Sequence, residues 1–286
     1  MPSLKGFLNG NARRFGRIRL GRGFSDCCRL FGIAVLQGVP ATVRRRGSVV
    51  DGKLDGLTES LCRSLIIRVG SVVYAVRDCE GLTILNPDFE PFMLAWFQPR
   101  KRDVFVDIES HVGKYAIATA KAVGEEGLVV AIEPHPETSK ALQRNVKLNH
   151  LQNLVALNLA AWNRSCRLKF YVGGSSSEFS VNRTCYDNSV DVQAKRMDEL
   201  LIHDLKLRRV DWIKIDVEKA EVEVLQGLEE TLSRFKPKLI VEVWSKNMEM
   251  VKALLKRHGY SMIAISNTFG SVSGWCVYLF CIPTAN

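Results

Sequence analysis

Two acidic residues stand where a nucleotide-type cofactor would need them. Asp107 follows the apolar segment VFV, and Gly113 opens the helix-forming segment after a short turn. Glu133 ends the next apolar segment, at a distance along the chain that suits hydrogen bonds from ribose hydroxyls. Free N–H groups at the start of a helix favour a carboxylate-bearing ligand. The pattern indicates an adenosyl cofactor, although Asp107 as a helix cap and Glu133 as a surface acid would give the same residues.

A dinucleotide cofactor is disfavoured by the same turn. The fingerprint of nicotinamide dinucleotide sites needs G-x-G-x-x-G directly after the first strand. Here the turn has a single glycine, Gly113, and carries Glu109, Ser110 and His111 before it. We expect His111 to be an ordinary exposed loop histidine, although imidazole can titrate near neutral pH or bind a phosphate.

A second group of carboxylates lies in and near the segment IKIDVEKAE. Asp216 and Glu218 share one face while the chain stays extended, and Glu221 falls in the first turn of the next helix. Glu242 lies near the end of the later segment LIVEVW and is expected at the same edge. Such carboxylates deprotonate a substrate hydroxyl or hold a cation. The alternative is helix capping by Asp216 with structural acids beyond it.

The cysteines do not indicate a metal site. They are Cys27, Cys28, Cys62, Cys79, Cys166, Cys185, Cys276 and Cys281. None forms the CxxC pair that structural zinc sites use. Because no secretory signal is evident, we expect reduced thiols, several of them buried in strands, and a cytoplasmic protein.

Alternating strand-like and helix-like segments must position these residues. The apolar segments predict strands at 104–108, 128–134, 154–160, 211–217, 238–244, 261–266 and 275–283. The intervening periodicity predicts helices at 113–123, 136–149, about 220–234 and 247–257. Such alternation predicts an α/β fold with a doubly wound, mostly parallel sheet covered on both faces. The last two strands have no helix between them and are expected to pair antiparallel at one edge.

Two further regions surround this sheet. Segments 167–172 and 190–195 predict an antiparallel excursion near its carboxyl edge, with a Ser-rich loop at 173–180 between them. Segment 64–78 predicts a β-hairpin that turns near Gly70 and Ser71, and 88–97 predicts a short helix packed under the sheet. The expected organisation is a basic arm at 1–50, a small extension at 51–100 and the main domain at 101–286.

Positive charge is concentrated in that arm. Residues 1–50 contain ten Lys or Arg and one acid, whereas the whole chain has 40 basic and 30 acidic residues. Such arms contact phosphates of nucleic acid or lipid head groups. A solvated leader and an organelle transit peptide are the alternatives. No segment reaches the roughly 18 apolar residues of a membrane span, and the sequence indicates no oligomeric state.

From about residue 86 to 267, the sequence resembles the FkbM-type class I S-adenosylmethionine-dependent methyltransferases. The matching segments are VFVDIESHVGKYAIATAKAVGEEGLVVAIEPHPETSKALQRNVKLN, ALNLAAWN and WIKIDVEKAEVEVLQGLEETL, followed by KLIVEVW. The resemblance implies a Rossmann-like sheet of seven strands with a reversed, antiparallel strand at its edge, to which the small N-terminal extension inferred above is added. It also implies methyl transfer from S-adenosylmethionine, commonly to a hydroxyl oxygen of a small molecule or sugar.

The resemblance assigns roles residue by residue. The implied cofactor-binding residues are Asp107, Ser110, Gly113, Glu133, Ala160 and Ala161. Residues 107–113 would flank the methionine part of the cofactor, Glu133 would bind its ribose, and the two alanines would lie near its adenine. Asp216 and Glu218 would face the transferred methyl group and act in catalysis.

Two residues depart from the family pattern. Glu109 and Lys219 stand where the family has glycine, in D-x-G-A-N-x-G and in VEGAE. The substitutions leave open a binding module that has lost catalysis on the same fold. The basic arm leaves open a methyltransferase that acts on RNA.

Overall fold

The computed structural model describes residues 20–37, 49–63, 65–172, 188–266, 269–271 and 274–284. The chain divides into two compact units, Met1–Phe89 and Glu90–Asn286. Most of the basic arm and the whole Ser-rich loop lie outside the described residues. None of the helices in the described part combines the length and apolar character that crossing a bilayer requires.

The first unit combines helices with a β-hairpin. Its described elements are α1 (Phe24–Gln37), α2 (Val49–Arg63), β1 (Ile66–Val69), β2 (Val72–Ala75) and α3 (Cys79–Ile84). The strands β1 and β2 pair antiparallel around a turn in which Gly70 has a φ of 58°, so the predicted hairpin is confirmed. Asp78 caps α3 because its Oδ1 accepts a hydrogen bond from Gly81 N at 2.6 Å.

The second unit contains the main sheet and its helices. Its described strands are β3 (Val104–Ile108), β4 (Leu128–Ile132), β5 (Leu154–Leu157), β6 (Ala160–Trp162), β7 (Cys166–Tyr171), β8 (Ser189–Arg196), β9 (Trp212–Ile215), β10 (Lys238–Trp244), β11 (Tyr260–Ala264), β12 (Phe269–Ser271) and β13 (Gly274–Pro283). Its described α-helices are α4 (Met93–Trp96), α5 (Lys114–Val123), α6 (Pro136–Leu148), α7 (Glu221–Gly227), α8 (Glu229–Phe235) and α9 (Met248–Arg257). A π-helical segment covers Glu199–Asp204 and a 3₁₀ turn covers Ser245–Asn247.

The main sheet has the strand order β11-β13-β10-β9-β3-β4-β5, with β12 paired to β13. The pairs β3–β4, β4–β5, β3–β9 and β9–β10 are parallel, whereas β13 runs antiparallel to both β10 and β11. This confirms the doubly wound, mostly parallel α/β fold with seven strands. The reversed strand lies one position in from the edge. The reason is apolar burial, because β13 buries Cys276 through Leu279 while β11 exposes Ser261, Ile263 and Ala264.

The segment 154–160, predicted as one strand, forms two. The main-sheet strand β5 ends at Leu157, and Ala160 begins β6 in a second sheet of order β6-β8-β7. Asn158 separates them, since its Nδ2 donates hydrogen bonds to the carbonyl oxygens of Glu133 and Pro134, each at 2.9 Å. The antiparallel pairing of β7 with β8 confirms the predicted excursion, and β6 joins it in parallel.

The helix predicted at about 220–234 is also divided, at Leu228. Leu228 N bonds to Leu225 O at 3.1 Å, which ends α7 in a tight turn. A new helix starts because the buried carboxylate of Asp198 accepts hydrogen bonds from Glu230 N at 3.0 Å and Thr231 N at 2.8 Å. This side chain from a distant part of the chain satisfies the first N–H groups of α8.

The short helix α4 packs on the main sheet, as predicted, through aromatic side chains. Ring centroids are 5.3 Å apart for Trp96 and Phe280, and 4.8 Å apart for Phe97 and Phe105. Phe97 also meets Trp212 edge to face at 5.3 Å. Each such pair contributes about 0.5–1.5 kcal/mol beyond its burial. The segment that carries Glu90 is thereby anchored to β3, β9 and β13.

Candidate active site

Acidic residues converge at the carboxyl edge of the sheet. Because β3, β4, β9 and β10 are parallel, their carboxyl ends lie on one side. Asp107 belongs to β3, Glu133 follows β4, Asp216 follows β9 and Glu242 lies near the end of β10. Ligands bind at this edge in open α/β sheets. The structure therefore places residues of both predicted groups at the same edge of the sheet.

The loop between β3 and α5 has the positive φ angles that glycine favours, although only one of the three residues concerned is a glycine. Glu109 has a φ of 60°, His111 a φ of 52° and Gly113 a φ of 93°. Ser110 fixes the turn, since its N donates to Ile132 O at 2.9 Å and its hydroxyl donates to Asp107 O at 2.8 Å. Ser110 is buried, and these two hydrogen bonds show that it stabilises the conformation of the loop.

Gly113 cannot be replaced without a clash. It caps α5 in the left-handed region, which disfavours any side chain. A Cβ at this position would lie 2.7 Å from Leu142 Cδ1 and 2.8 Å from Ile117 Cδ1. The glycine therefore permits the N-terminus of α5 to pack closely on α6.

Asp107 carries a buried carboxylate at the end of β3. It is 1% exposed, and neither of its carboxylate oxygens has a hydrogen-bond partner among the described residues. Burial raises its pKa to about 6, although Lys214, the backbone N–H of Ala116 and the Ser110 hydroxyl are near enough to act in the opposite direction. An unsatisfied buried acceptor of this kind costs free energy until a donor reaches it. Asp107 is not the N-cap of α5, so capping does not explain it.

Glu133 joins two loops through its carboxylate. Its Oε2 accepts a hydrogen bond from His111 N at 2.9 Å, and its Oε1 accepts one from His135 N at 3.0 Å. The side chain is 5% exposed, which excludes the surface-acid alternative. A carboxylate oxygen can accept more than one hydrogen bond, as binding of a ligand hydroxyl would require.

An ion pair between a buried lysine and a partly exposed carboxylate lies beside Asp107. Lys214 Nζ is 2.6 Å from Asp216 Oδ2 and 5.2 Å from the centre of the Tyr115 ring. Burial alone would lower the pKa of Lys214, but the carboxylates of Asp216 and Asp107 hold it above its ordinary value. Burial likewise opposes ionisation of Asp216, and Lys214 nevertheless holds the pKa of Asp216 below its ordinary value. Asp216 is thus held in the ionised form by Lys214.

Two phenols complete this cluster, and the sequence patterns did not reveal them. Tyr278 Oη lies 2.6 Å from Glu90 Oε1 and 3.1 Å from Asp216 Oδ2. Tyr115 donates a hydrogen bond to Glu90 Oε2 at 2.5 Å. Burial, together with these carboxylates, raises the pKa of both phenols well above the ordinary value, so both remain protonated donors.

The remaining carboxylates at the carboxyl edge of the sheet, hereafter the rim, lie close to one another. Burial raises the pKa of Glu242 well above its ordinary value, and Asp216 and Glu218 raise it further. Burial also raises the pKa of Glu109, with Glu133 and Glu218 acting in the same direction. Cys276 Sγ donates to Glu242 Oε1 at 3.3 Å. Glu218 itself is partly exposed and faces this group.

Glu221 and Lys219 have structural contacts in the described residues. Glu221 is fully buried and accepts hydrogen bonds from Trp244 N at 3.1 Å and from Asn247 Nδ2, which ties α7 to the end of β10. Lys219 has a φ of 67°, and its Nζ lies 4.6 Å from the Trp244 ring centre. Glu221 is therefore removed from the predicted group of reactive carboxylates.

The two alanines predicted near the adenine lie in β6. Ala160 and Ala161 are buried and pair with Ala194 and Lys195 of β8. They follow Asn158, which is bonded to the carbonyl of Glu133, so their strand starts beside the ribose-binding candidate. Among the described residues, no group of three or more His, Cys, Asp or Glu side chains is arranged to hold a metal ion.

Comparisons with known proteins agree with this arrangement. A model of the methyltransferase FkbM domain matches residues 107–262. "Methyltransferase 1" of Beauveria bassiana is 26% identical over 179 residues, which cover 55% of this chain and 72% of that protein. "Methyltransferase sdnD" of Sordaria araneosa is 25% identical over 222 residues, which cover 66% of this chain and 85% of that protein.

Solved structures are similar at lower identity. The methyltransferase FkbM of Methylobacillus flagellatus is 14% identical with a TM-score of 0.43, and the match covers 94% of this chain and 58% of that one. TYW2 of M. jannaschii, solved in complex with AdoMet, is 18% identical with a TM-score of 0.47, and the match covers 77% of this chain and 85% of that one.

Proposed function

The chain belongs to the methyltransferase FkbM domain family, and from that premise we propose that it methylates a hydroxyl oxygen of a small molecule or sugar. The family match lies within residues 86–267 and confirms the resemblance found in the sequence. The methyl donor of this family is S-adenosylmethionine, whose sulfonium carries an already activated methyl group. The observation that carries the proposal is the buried, unsatisfied carboxylate of Asp107.

The residues of the rim fit this donor. Asp107 lacks hydrogen bonds among the described residues and would accept them from an ammonium group such as that of the methionine part. Glu133 would accept hydrogen bonds from ribose hydroxyls, since its carboxylate lies buried at this edge and a carboxylate oxygen can accept more than one. The N-terminus of α5 begins at Gly113 and favours a carboxylate. Ser110 would hold the loop in shape, and the strand that contains Ala160 and Ala161 would border the adenine.

Asp216 and Glu218 have different roles toward the methyl acceptor. Asp216 is fixed as an anion by Lys214 and Tyr278, so it supplies a constant negative potential rather than a mobile base. Glu218 is partly exposed at the rim and takes the proton of the acceptor hydroxyl as the oxygen–carbon bond forms. Otherwise the site needs only to align the acceptor with the methyl group and to exclude water.

The two non-glycine residues support a functional loop. Glu109 and Lys219 keep φ values of 60° and 67°, the left-handed conformation in which glycine is unstrained. The backbone path of both loops therefore persists beside the replaced residues. This favours a cofactor-binding protein over a module that has lost its site.

A binding and transfer experiment tests the proposal. The full chain is titrated with S-adenosylhomocysteine by calorimetry, and labelled methyl transfer is then measured to a panel of hydroxyl compounds and sugars. We expect binding to weaken at least about tenfold in Asp107→Asn. The control Asp191→Asn changes an exposed acid of β8 and should bind normally. Glu218→Gln should bind but not transfer. A folded wild type that does not bind would contradict the proposal.

RNA methylation is the second candidate, favoured by the charge of residues 1–50. It requires nucleic-acid affinity that falls steeply with salt. Neutralising arginines 44–46 to glutamine should then weaken RNA binding without changing the affinity for S-adenosylhomocysteine. The carboxylate of Asp216, which Lys214 keeps ionised, repels phosphates at this edge of the sheet, and this supports the small acceptor instead.

A further inference from the structure

We propose that Cys62 and Cys79 form a reversible disulfide, which makes the unit Met1–Phe89 responsive to thiol oxidants. The two Sγ atoms lie 2.7 Å apart. Cys62 is fully buried near the end of α2, and Cys79 is the partly exposed first residue of α3. Both are free thiols in the structure.

The distance between the Sγ atoms of Cys62 and Cys79 is shorter than the contact that a third cysteine makes with an oxygen atom. Cys276 Sγ hydrogen-bonds to Glu242 Oε1 at 3.3 Å, although oxygen is the smaller atom. A disulfide bond is about 2.05 Å long, so bond formation brings the sulfur atoms of Cys62 and Cys79 closer by roughly 0.7 Å. Bond formation therefore requires a movement of less than about 1 Å between the two sulfur atoms.

Backbone contacts hold the two cysteines together. The hairpin β1–β2 lies between them, and its ends are joined by the bond from Val76 N to Leu65 O at 2.9 Å. Leu65 N donates to Cys62 O at 3.0 Å, and Cys79 N donates to Glu59 Oε2 at 3.2 Å, which links α3 to α2. The pair is therefore positioned by contacts that do not involve sulfur.

The chemistry proceeds by thiol–disulfide exchange with a small disulfide of the glutathione class. The more accessible Cys79 thiolate attacks the oxidant, forms a mixed disulfide and releases one small thiol. The Cys62 thiolate then attacks Cys79 Sγ, the protein disulfide forms and the second small thiol leaves. The two cysteines lose two protons and two electrons in total, and the oxidant takes them up as two thiols.

The surroundings set the rate of this exchange. The hydrogen bond from Cys62, burial and then Glu59 raise the pKa of the Cys79 thiol well above its ordinary value. Little thiolate is present at neutral pH, so exchange is slow and accelerates as the pH rises. Glu59→Gln should therefore speed oxidation, because it removes the negative charge next to Cys79.

Differential alkylation tests the proposal. The full chain is equilibrated with reduced or oxidised glutathione, quenched in acid, alkylated with a maleimide, digested and analysed by mass spectrometry. Under oxidation we expect a peptide linked through Cys62 and Cys79, lighter by two hydrogen atoms and cleaved by dithiothreitol. The exposed Cys28 serves as a control for glutathione and maleimide access. Alkylation of both Cys62 and Cys79 under oxidation, or linkage of either to another cysteine, would overturn the proposal.

Variants separate the disulfide from general effects of oxidation. Oxidised wild type should unfold at a higher temperature than the reduced chain, because the cross-link restricts the unfolded state. Cys79→Ser should abolish this redox-dependent difference. Cys281→Ser, a buried cysteine in the other unit, should preserve it. A redox-dependent unfolding temperature that persists in Cys79→Ser would contradict the assignment, and this variant avoids disturbing the fully buried Cys62.

Discussion

Replacing Glu109 by glycine should stabilise the protein and tighten cofactor binding. Glu109 has a φ of 60°, and a residue with a side chain pays about 1–2 kcal/mol for this conformation. Glycine avoids that strain but gains freedom in the unfolded chain, which offsets roughly 0.5–1 kcal/mol. The backbone part of the substitution is therefore worth about 0.5–1 kcal/mol, independent of pH.

Charge adds a part that depends on pH. Burial, Glu133 and Glu218 raise the pKa of Glu109 above its ordinary value of 4.5. An acid with a raised folded pKa costs nothing below its unfolded pKa, and the cost grows as the pH rises toward the folded value. Because Glu109 is partly exposed, solvent screening reduces this cost. The gain from glycine should thus be larger at about pH 8 than at about pH 4.

Urea denaturation of three variants separates the two parts. Glu109→Gln keeps the strained backbone and removes the charge, so it should show only the pH-dependent gain. Lys206→Gly relieves a φ of 52° at an exposed position and should show only the constant gain. Removing a negative charge beside the cofactor carboxylate should also tighten S-adenosylhomocysteine binding by roughly fivefold, or about 1 kcal/mol. A Glu109→Gly protein that is less stable than Glu109→Gln at both pH values would refute the reasoning.

Three further substitutions follow from the described contacts. Burial raises the pKa of Asp107 to about 6, so Asp107 reduces stability as the pH rises from its ordinary pKa through about 6. Urea denaturation at neutral pH should show that Asp107→Asn has a free energy of unfolding higher than that of the wild type by up to about 2–3 kcal/mol. Calorimetry should show that the cofactor affinity of the wild type rises as the pH increases through about 6, whereas the affinity of the variant does not change with pH. Lys214→Met removes the cation that pairs with the partly exposed Asp216 and should cost about 1.5–3 kcal/mol, whereas the double variant with Asp216→Asn should recover much of the loss. Gly227→Ala places a Cβ 2.1 Å from the carbonyl oxygen of Trp162 and should lower the unfolding free energy by about 1–3 kcal/mol, and an unchanged value would contradict the close approach.

Local sequence patterns were sufficient to predict the positions of the acidic residues that end or follow strands. Asp107, Glu133, Asp216 and Glu242 each lie at or after the end of an apolar segment, and parallel pairing brings such positions to one edge. The hairpin and the aromatic helix were likewise predictable, because a turn or an apolar face marks them in a short window. These features depend on residues that are close in sequence.

The missed features depend on distant residues. Lys214 lies in the inner strand β9, and its burial is explained only by the carboxylate of Asp216, which pairs with it. Glu90 meets Tyr278 across most of the second unit. The break at Leu228 requires the carboxylate of Asp198, which no window around residues 220–234 contains. The catalytic roles of Asp216 and Glu218 stay predictions until transfer is measured.

The reversed strand β13 imposes an order on biosynthesis. Its residues Cys276 and Tyr278 contact the rim, although they are translated after every other strand of the sheet. Until β13 has left the ribosome, β10 has an unpaired edge, and Asp216 lacks its hydrogen bond from Tyr278. An unpaired edge of this length is a site for aggregation or chaperone binding. A chain stalled before Gly274 would therefore be recognisable to quality control before it could ever hold a cofactor in a finished site.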